Sequence, residues 1–131
     1  LKSGAIDILE YLKANGIKLA LATANDEELY KPCLDRLEIS KYFDVVIDVN
    51  KVGEGKSSPK IYKQIINQLG VDSENTLVFE DTIMGLKSSY ENGFISIAVY
   101  DANSAKQDNE KRIYSYLFIN SFNELLEKMK K

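Results

Sequence analysis

The sequence contains no histidine and only one cysteine among its 131 residues. Without histidine the chain cannot form a Ser-His-Asp triad, a Cys-His pair or a histidine-ligated zinc site. The carboxylates, hydroxyls and lysines that remain suit hard, oxygen-ligated cations and phosphate. The single cysteine, Cys33, cannot form an internal disulfide, and we interpret it as a small core residue rather than a nucleophile.

Long apolar runs and basic clusters are also missing. No run approaches the length of a membrane span, and the first ten residues are amphipathic where a secretory signal would be apolar. The net charge is -3 and the basic residues are dispersed, which leaves no basic stripe for a nucleic-acid backbone. We therefore expect one globular domain over residues 1–131, cytoplasmic, with neither nucleic acid nor membrane as partner. Because the chain opens with Leu1 rather than methionine, we also expect a segment upstream.

Short apolar runs alternate with stretches of helical periodicity. Gly16, Gly70 and Gly93 close three of the helical stretches, as glycine often does at a helix C-terminus. This alternation predicts an α/β fold with a parallel sheet and helices on both faces. Residues 26–39 also look helical, although Pro32 within them would kink the helix or mark a late start. The predicted strands are residues 17–22, 43–49, 76–79, 95–100 and, more weakly, 116–119.

A hydroxyl residue follows the first predicted strand, at the sheet edge where ligands gather in open parallel sheets. Thr23 offers its hydroxyl there, and the amides of Ala24 and Asn25 lead into a helix whose N-terminus favours an anion. On local sequence alone, the simpler interpretation is that Asn25 or Asp26 caps that helix.

A lysine in a flexible segment precedes the next helix. Lys56 stands between glycine and Ser-Ser-Pro, from where its ammonium could be directed at a phosphate. The alternative is a solvated surface lysine. A Walker A loop is excluded because Asn50 holds the position of the leading glycine and Pro59 follows too closely.

Two adjacent carboxylates, Glu80 and Asp81, end the third apolar run. Their mutual repulsion is unfavourable without a cation or a basic partner, and Mg²⁺ takes one or two carboxylates together with water and phosphate oxygens. The alternative is that Asp81 or Thr82 caps the next helix while Glu80 points to water. The adjacency of the two acids favours the metal interpretation.

As an ordered set, these three motifs resemble motifs two, three and four of the haloacid dehalogenase superfamily, most of all its β-phosphoglucomutase and phosphoglycolate-phosphatase-like branch. The likeness runs from Leu1 to about Tyr100 and implies a Rossmann-like core with Mg²⁺ as cofactor. In this resemblance, Thr23 and Lys56 are catalytic, and Thr23, Ala24, Asn25 and Lys56 bind the phosphoryl group. Lys56 also holds the nucleophilic carboxylate, Asp81 ligates Mg²⁺, and Glu80 ligates that ion or orients it through water. Ser57 and Lys60 depart from the branch, which usually has proline and often aspartate there.

The first motif of that superfamily, Asp-x-Asp-Gly-Thr, does not occur in this chain, and neither does the cap domain that normally follows it. The resemblance therefore implies a partial core that lacks the nucleophile strand and is inactive alone. That strand normally lies between the strand ending at Thr23 and the strand ending at Glu80. Its absence leaves two apolar edges facing a gap. An N-terminal segment, a partner chain or direct pairing of the two edges would close the sheet.

The resemblance implies a Mg²⁺-dependent phosphatase or phosphomutase acting on a small phosphorylated metabolite. A non-catalytic phosphate- and Mg²⁺-binding or interaction module is the alternative. A receiver-like signalling domain is a weaker third choice, because neither Asp44 nor Asp48 is followed by the expected helix-opening loop. The identity of the substrate, the choice between phosphatase and mutase, and the oligomeric state stay open at this point.

Overall fold

The computed structural model describes residues 2–23, 27–48 and 60–130. Each of the five strands begins within a few residues of a predicted apolar run. Short 3-10 segments lie at Ser40–Tyr42, Ser73–Asn75 and Ala102–Gln107. The helices and strands, in chain order, are α1 Ala5–Ala14, β1 Ala20–Thr23, α2 Glu27–Arg36, β2 Val45–Asp48, α3 Lys60–Leu69, β3 Leu77–Glu80, α4 Ile83–Glu91, β4 Ile95–Val99, α5 Asp108–Ile113, β5 Leu117–Ile119 and α6 Phe122–Lys130.

The strands form two parallel sheets in the described part of the chain. In the first sheet β1 pairs with β2, with Ala20 opposite Val45 and Thr23 opposite Asp48. In the second, β3, β4 and β5 lie in that order. The predicted α/β class with parallel strands is confirmed. Direct pairing of β1 with β3, one of the three predicted ways to close the gap, does not occur among residues 2–23 and 60–130.

Helix α3 packs across both sheets on one face. Ile61 and Ile65 of α3 form a buried cluster with Ile47 of β2, and Ala22 of β1 and Val78 of β3 pack against it. Burying a side chain of this size stabilises the fold by roughly 1.5–3 kcal/mol. The two sheets are therefore held together through side-chain packing on α3.

Helix α1 has the same role on the opposite face. Its Ile8 packs with Ile97 of β4 and Leu126 of α6, while its Leu9 packs against a second cluster that includes Leu34 of α2. Successive residues of α1 thus contact the side chains that cover the two sheets. The prediction of helices on both faces is confirmed.

The helix predicted in this part of the sequence is confirmed as α2, while one alternative for its start and one prediction for its core are wrong. The helix begins at Glu27 and contains Pro32, so the proline does not mark a late start. Cys33, predicted to be a core residue, is exposed. The reason is helical geometry: Tyr30 and Leu34, four residues apart, define the buried face, and Cys33 points away from it.

Over the described ranges, no helix combines the length and the apolar character that crossing a bilayer requires.

Candidate active site

The polar motifs that the structure describes lie at the carboxyl ends of strands. Thr23 is the last residue of β1 and lies opposite Asp48, the last residue of β2. Glu80 is the last residue of β3, and Asp81 follows it directly. Ala24, Asn25 and Lys56 fall outside the described residues. The site can therefore be built from Thr23, Glu80 and Asp81.

Glu80 is a buried residue, 7% exposed, whose side chain contacts Tyr62, Thr82 and Gly85. The hydroxyl of Tyr62 donates to Glu80 Oε2 at 3.1 Å, and the hydroxyl of Thr82 donates to Oε1 at 3.4 Å. The side chain packs against Gly85, whose missing Cβ would stand 2.5 Å from Oε2. Strand alternation explains the direction: Glu80 lies on the same face of β3 as Val78, and α3 covers that face.

Tyr62 contacts the acidic pair from α3. It lies in the first turn of α3, the helix that follows the segment containing Lys56. Its buried hydroxyl reaches the end of β3 through Glu80. Burial raises the pKa of the Tyr62 phenol, and the nearby Glu80 carboxylate raises it further. The phenol is therefore neutral and acts as a hydrogen-bond donor.

The capping alternative for this motif is half correct. Thr82 is the N-cap of α4, and its hydroxyl accepts a hydrogen bond from the Gly85 amide at 3.2 Å. Glu80, however, is buried rather than directed to water. A helix cap and two candidate site carboxylates therefore coexist in three consecutive residues.

Asp81 forms an ion pair with Lys2, which precedes α1. Lys2 Nζ lies 3.5 Å from Asp81 Oδ2 and 3.8 Å from Asp101 Oδ1, and it donates to the Tyr100 carbonyl at 3.2 Å. Asp81 and Asp101 follow β3 and β4, which are neighbours in the sheet. The ends of two adjacent strands thus place two carboxylates around one ammonium.

A second lysine supports the backbone of Asp81. The Ser104 hydroxyl donates to the Asp81 carbonyl at 3.2 Å, and it accepts a hydrogen bond from Lys111 Nζ at 2.6 Å. The Lys111 side chain is 0% exposed and lies 3.9 Å from Asp108 Oδ1. The loop after β3 is therefore fixed by a buried ammonium acting through one hydroxyl.

Four of these residues were missed from the sequence: Tyr62, Lys2, Ser104 and Lys111. A signal exists for Tyr62 alone, since it shares a helix face with Ile61 and Ile65 and is the polar-tipped member of that apolar stripe. The contacts of Lys2 and Ser104 are long-range, and no local pattern marks them.

The donor chemistry of the motif fits magnesium. Within residues 2–23, 27–48 and 60–130, no group of three or more histidine, cysteine or acidic side chains is close enough to hold a metal. Asp81 presents a partly exposed carboxylate just after the strand, and the buried Glu80 precedes it in the sequence. Such a set suits an ion that takes one or two protein carboxylates and completes its shell with water and phosphate oxygens.

Comparison with known proteins decides the family. Residues 1–89 match the family model described as haloacid dehalogenase-like hydrolase. The chain belongs to the haloacid dehalogenase-like hydrolase family. The matched residues include β1, β2 and β3 and most of α4, and with them all three motifs.

Relatives in this family include phosphatases and a phosphomutase. The chain is 36% identical over 105 residues to the phosphorylated carbohydrates phosphatase of Thermotoga maritima, covering 79% of this chain and 49% of that protein. It matches β-phosphoglucomutase from Clostridium difficile with a TM-score of 0.82 and 25% identity, covering 99% of this chain and 55% of the other. It matches CbbY from Rhodobacter sphaeroides in complex with xylulose-(1,5)-bisphosphate with a TM-score of 0.84 and 26% identity, covering 95% and 56%. The chain spans about half the length of the curated relative it matches.

Proposed function

We propose that residues 1–131 form a partial core domain of a Mg²⁺-dependent phosphatase or phosphomutase that acts on a small phosphorylated metabolite. The observation that carries the proposal is the anchoring of Glu80 at the end of β3 by Tyr62. This contact joins the acidic motif to the helix that follows the lysine motif. A position of the lysine motif beside the acidic motif, which joint action on one phosphate requires, is part of this proposal.

The phosphoryl group is held by the first two motifs in this proposal. The hydroxyl of Thr23, at the tip of β1, donates to a phosphoryl oxygen, and Ala24 and Asn25 add amide donors. Lys56 neutralises phosphoryl charge. Phosphoryl transfer depends mainly on positioning and on stabilising spread-out negative charge, so these groups supply what the reaction needs.

Asp81 is the proposed direct ligand of Mg²⁺, and Glu80 orients the ion through water. Glu80 has hydrogen bonds to Tyr62 and Thr82 and is buried, which suits an orienting role better than direct ligation. Bound Mg²⁺ would neutralise charge on the phosphoryl oxygens. Ser104 and Lys111 hold the Asp81 main chain, so that its carboxylate keeps one position.

The nucleophile is proposed to lie on a segment outside this sequence, on a strand between β1 and β3. Both strands have an edge that pairs with no strand in the described part of the chain. Buried strand edges without partners are costly, and exposed ones associate. One inserted strand would satisfy both edges and bring an aspartate between Thr23 and Asp81.

A phosphorylated sugar or a similarly small phosphate ester is the proposed substrate class. The support comes from relatives: one is named a phosphorylated carbohydrates phosphatase, and CbbY was crystallised with xylulose-(1,5)-bisphosphate.

The test uses the natural polypeptide that contains this chain, assayed with Mg²⁺ on a panel of sugar phosphates and a generic phosphate ester. We expect hydrolysis or isomerisation that EDTA abolishes, and a loss of about a hundredfold or more in Asp81→Asn. Asp7→Asn, an exposed change of the same charge on α1, is the control and should keep full activity. A folded polypeptide without activity in Mg²⁺, or equal activity of the two variants, would contradict the proposal.

A non-catalytic phosphate- and Mg²⁺-binding module is the second candidate. The observation that favours it is that the Asp-x-Asp-Gly-Thr motif does not occur among these 131 residues, although the other three motifs do. Calorimetry with Mg²⁺ and inorganic phosphate separates the two candidates. Binding by a polypeptide that turns over none of the panel supports the module, and turnover excludes it.

A further inference from the structure

The side chain of Lys2 contacts the proposed ion site, although the proposed reaction gives Lys2 no role. Its ammonium lies among three acceptors at the carboxyl ends of β3 and β4: Asp81 Oδ2 at 3.5 Å, Asp101 Oδ1 at 3.8 Å and the Tyr100 carbonyl at 3.2 Å. Tyr100 is 98 residues away in the sequence, so these contacts are tertiary. The ammonium contacts the same carboxylate that is proposed to bind the divalent ion.

The backbone at Lys2 is anchored against α6. The Phe122 amide donates to the Ser3 carbonyl at 3.1 Å, and the Asn123 side chain donates to the Ser3 hydroxyl at 2.6 Å. Gly4 has a φ of +82° and approaches Asn123 so closely that an added Cβ would stand 2.5 Å from its Oδ1. Lys2 is thus placed at the strand ends by packing on α6.

We propose that Lys2 is a built-in counter-cation for Asp81, which a divalent ion must displace before it can bind. This inference rests on the proposed ion site at Asp81. A divalent ion bound to Oδ2 would sit about 2.1 Å from an oxygen that the ammonium approaches at 3.5 Å, so the two cations would lie within about 5.6 Å of each other and repel. The ion and Lys2 therefore compete for Asp81.

The structure also supplies a place for the displaced ammonium. Asp101 and the Tyr100 carbonyl already contact Lys2, so the side chain can leave Asp81 while it keeps two acceptors. The exchange breaks one partly exposed ion pair, and such pairs contribute little. Lys2 therefore weakens ion binding moderately and does not block it.

The inference is tested by titrating Mn²⁺ into the isotope-labelled natural polypeptide that contains this chain. Paramagnetic broadening of the Asp81 and Thr82 amide signals reports ion binding at this loop and needs no catalysis. Lys2→Gln removes the counter-cation, and we expect half-broadening at an ion concentration about threefold to tenfold lower than in the parent. Lys2→Arg keeps the charge and should resemble the parent.

Lys13→Gln is the matched control. Lys13 and Asp44 form an ion pair with side chains 40% and 38% exposed, comparable to the 35% and 31% of Lys2 and Asp81. That pair joins the last turn of α1 to the residue before β2, away from the carboxyl ends of the strands. Lys13→Gln therefore removes the same net charge without touching the site, and the affinity of this variant for Mn²⁺ should change little.

Three outcomes separate the possibilities. Tighter binding in Lys2→Gln alone supports the inference. Equal or weaker binding in Lys2→Gln, with Asp81 still broadened, overturns the inference and leaves the proposed ion site intact. Absence of broadening at Asp81 in every folded variant overturns both.

Discussion

Replacing Gly85 by alanine places a methyl group where the Glu80 side chain lies. A Cβ on Gly85 would stand 2.5 Å from Glu80 Oε2 and closer still to Cγ and Cδ. Glu80 cannot simply move aside, because Tyr62 and Thr82 hold its two carboxylate oxygens. Gly85→Ala should therefore push a buried carboxylate away from its donors.

The magnitude follows from opposing effects. Overpacking of a tight interior costs about 1–3 kcal/mol, and a buried polar group left without its hydrogen bond costs about 1–3 kcal/mol more. Alanine in place of glycine inside a helix returns about 1 kcal/mol. We expect Gly85→Ala to lower the free energy of unfolding by about 1–5 kcal/mol, which corresponds to a fall in Tm of roughly 4–20 °C for a domain of this size.

A double-mutant cycle isolates the contact. Glu80→Ala removes the side chain that the new methyl meets, so Gly85→Ala in that background should be neutral or slightly stabilising through helix propensity. Chemical denaturation of the four proteins gives the coupling energy. An equal effect of Gly85→Ala in both backgrounds, or stabilisation in the parent, would show that Glu80 does not lie against Gly85.

Three further predictions concern pH and burial. Because the folded-state pKa of Tyr62 is raised, its contribution to stability is present below about pH 10 and is lost as pH rises further. Tyr62→Phe should make the alkaline unfolding profile flatter. An unchanged alkaline profile would contradict the burial of the phenol against Glu80. The backbone amide of Asn120 lowers the pKa of Glu124, so the contribution of Glu124 to stability is present above about pH 4 and is lost as pH falls through its folded-state pKa. Glu124→Gln should make the loss of stability at acid pH smaller. The same acid unfolding profile in the variant and the parent would count against the contact. Lys111→Met should lower the free energy of unfolding by about 1–3 kcal/mol, because it removes the buried ammonium that Ser104 and Asp108 contact. An unchanged midpoint of chemical denaturation would show that the ammonium is not buried there.

The layers of this fold were predictable because each strand is a short apolar run and each helix carries a stripe of apolar residues. Ile61 and Ile65, for example, mark the face of α3 that packs on the sheets. The separation of β1 from β3 followed from the family resemblance, since apolar runs do not specify strand order. Cys33 was assigned to the core wrongly, because an apolar residue type alone does not say which face of a helix it occupies.

The contacts that orient the site were less predictable. Glu80 and Asp81 are adjacent, so their placement at a strand end was visible in the sequence. Their partners are not local: Tyr62 reaches Glu80 from α3, and Lys2 reaches Asp81 from the residues that precede α1. Such pairs are fixed by packing of whole elements, which a single sequence does not encode locally.

The central claim is that Thr23, Lys56 and Asp81 act on one phosphate and its divalent ion. The most direct measurement is a crystal structure of the natural polypeptide soaked with Mn²⁺ and tungstate, which anomalous scattering distinguishes. The account predicts Mn²⁺ within about 2.2 Å of an Asp81 oxygen, and tungstate in contact with both the Thr23 hydroxyl and the Lys56 ammonium. Well-ordered ions bound elsewhere, with Thr23 and Lys56 too far apart to contact one oxyanion, would contradict it.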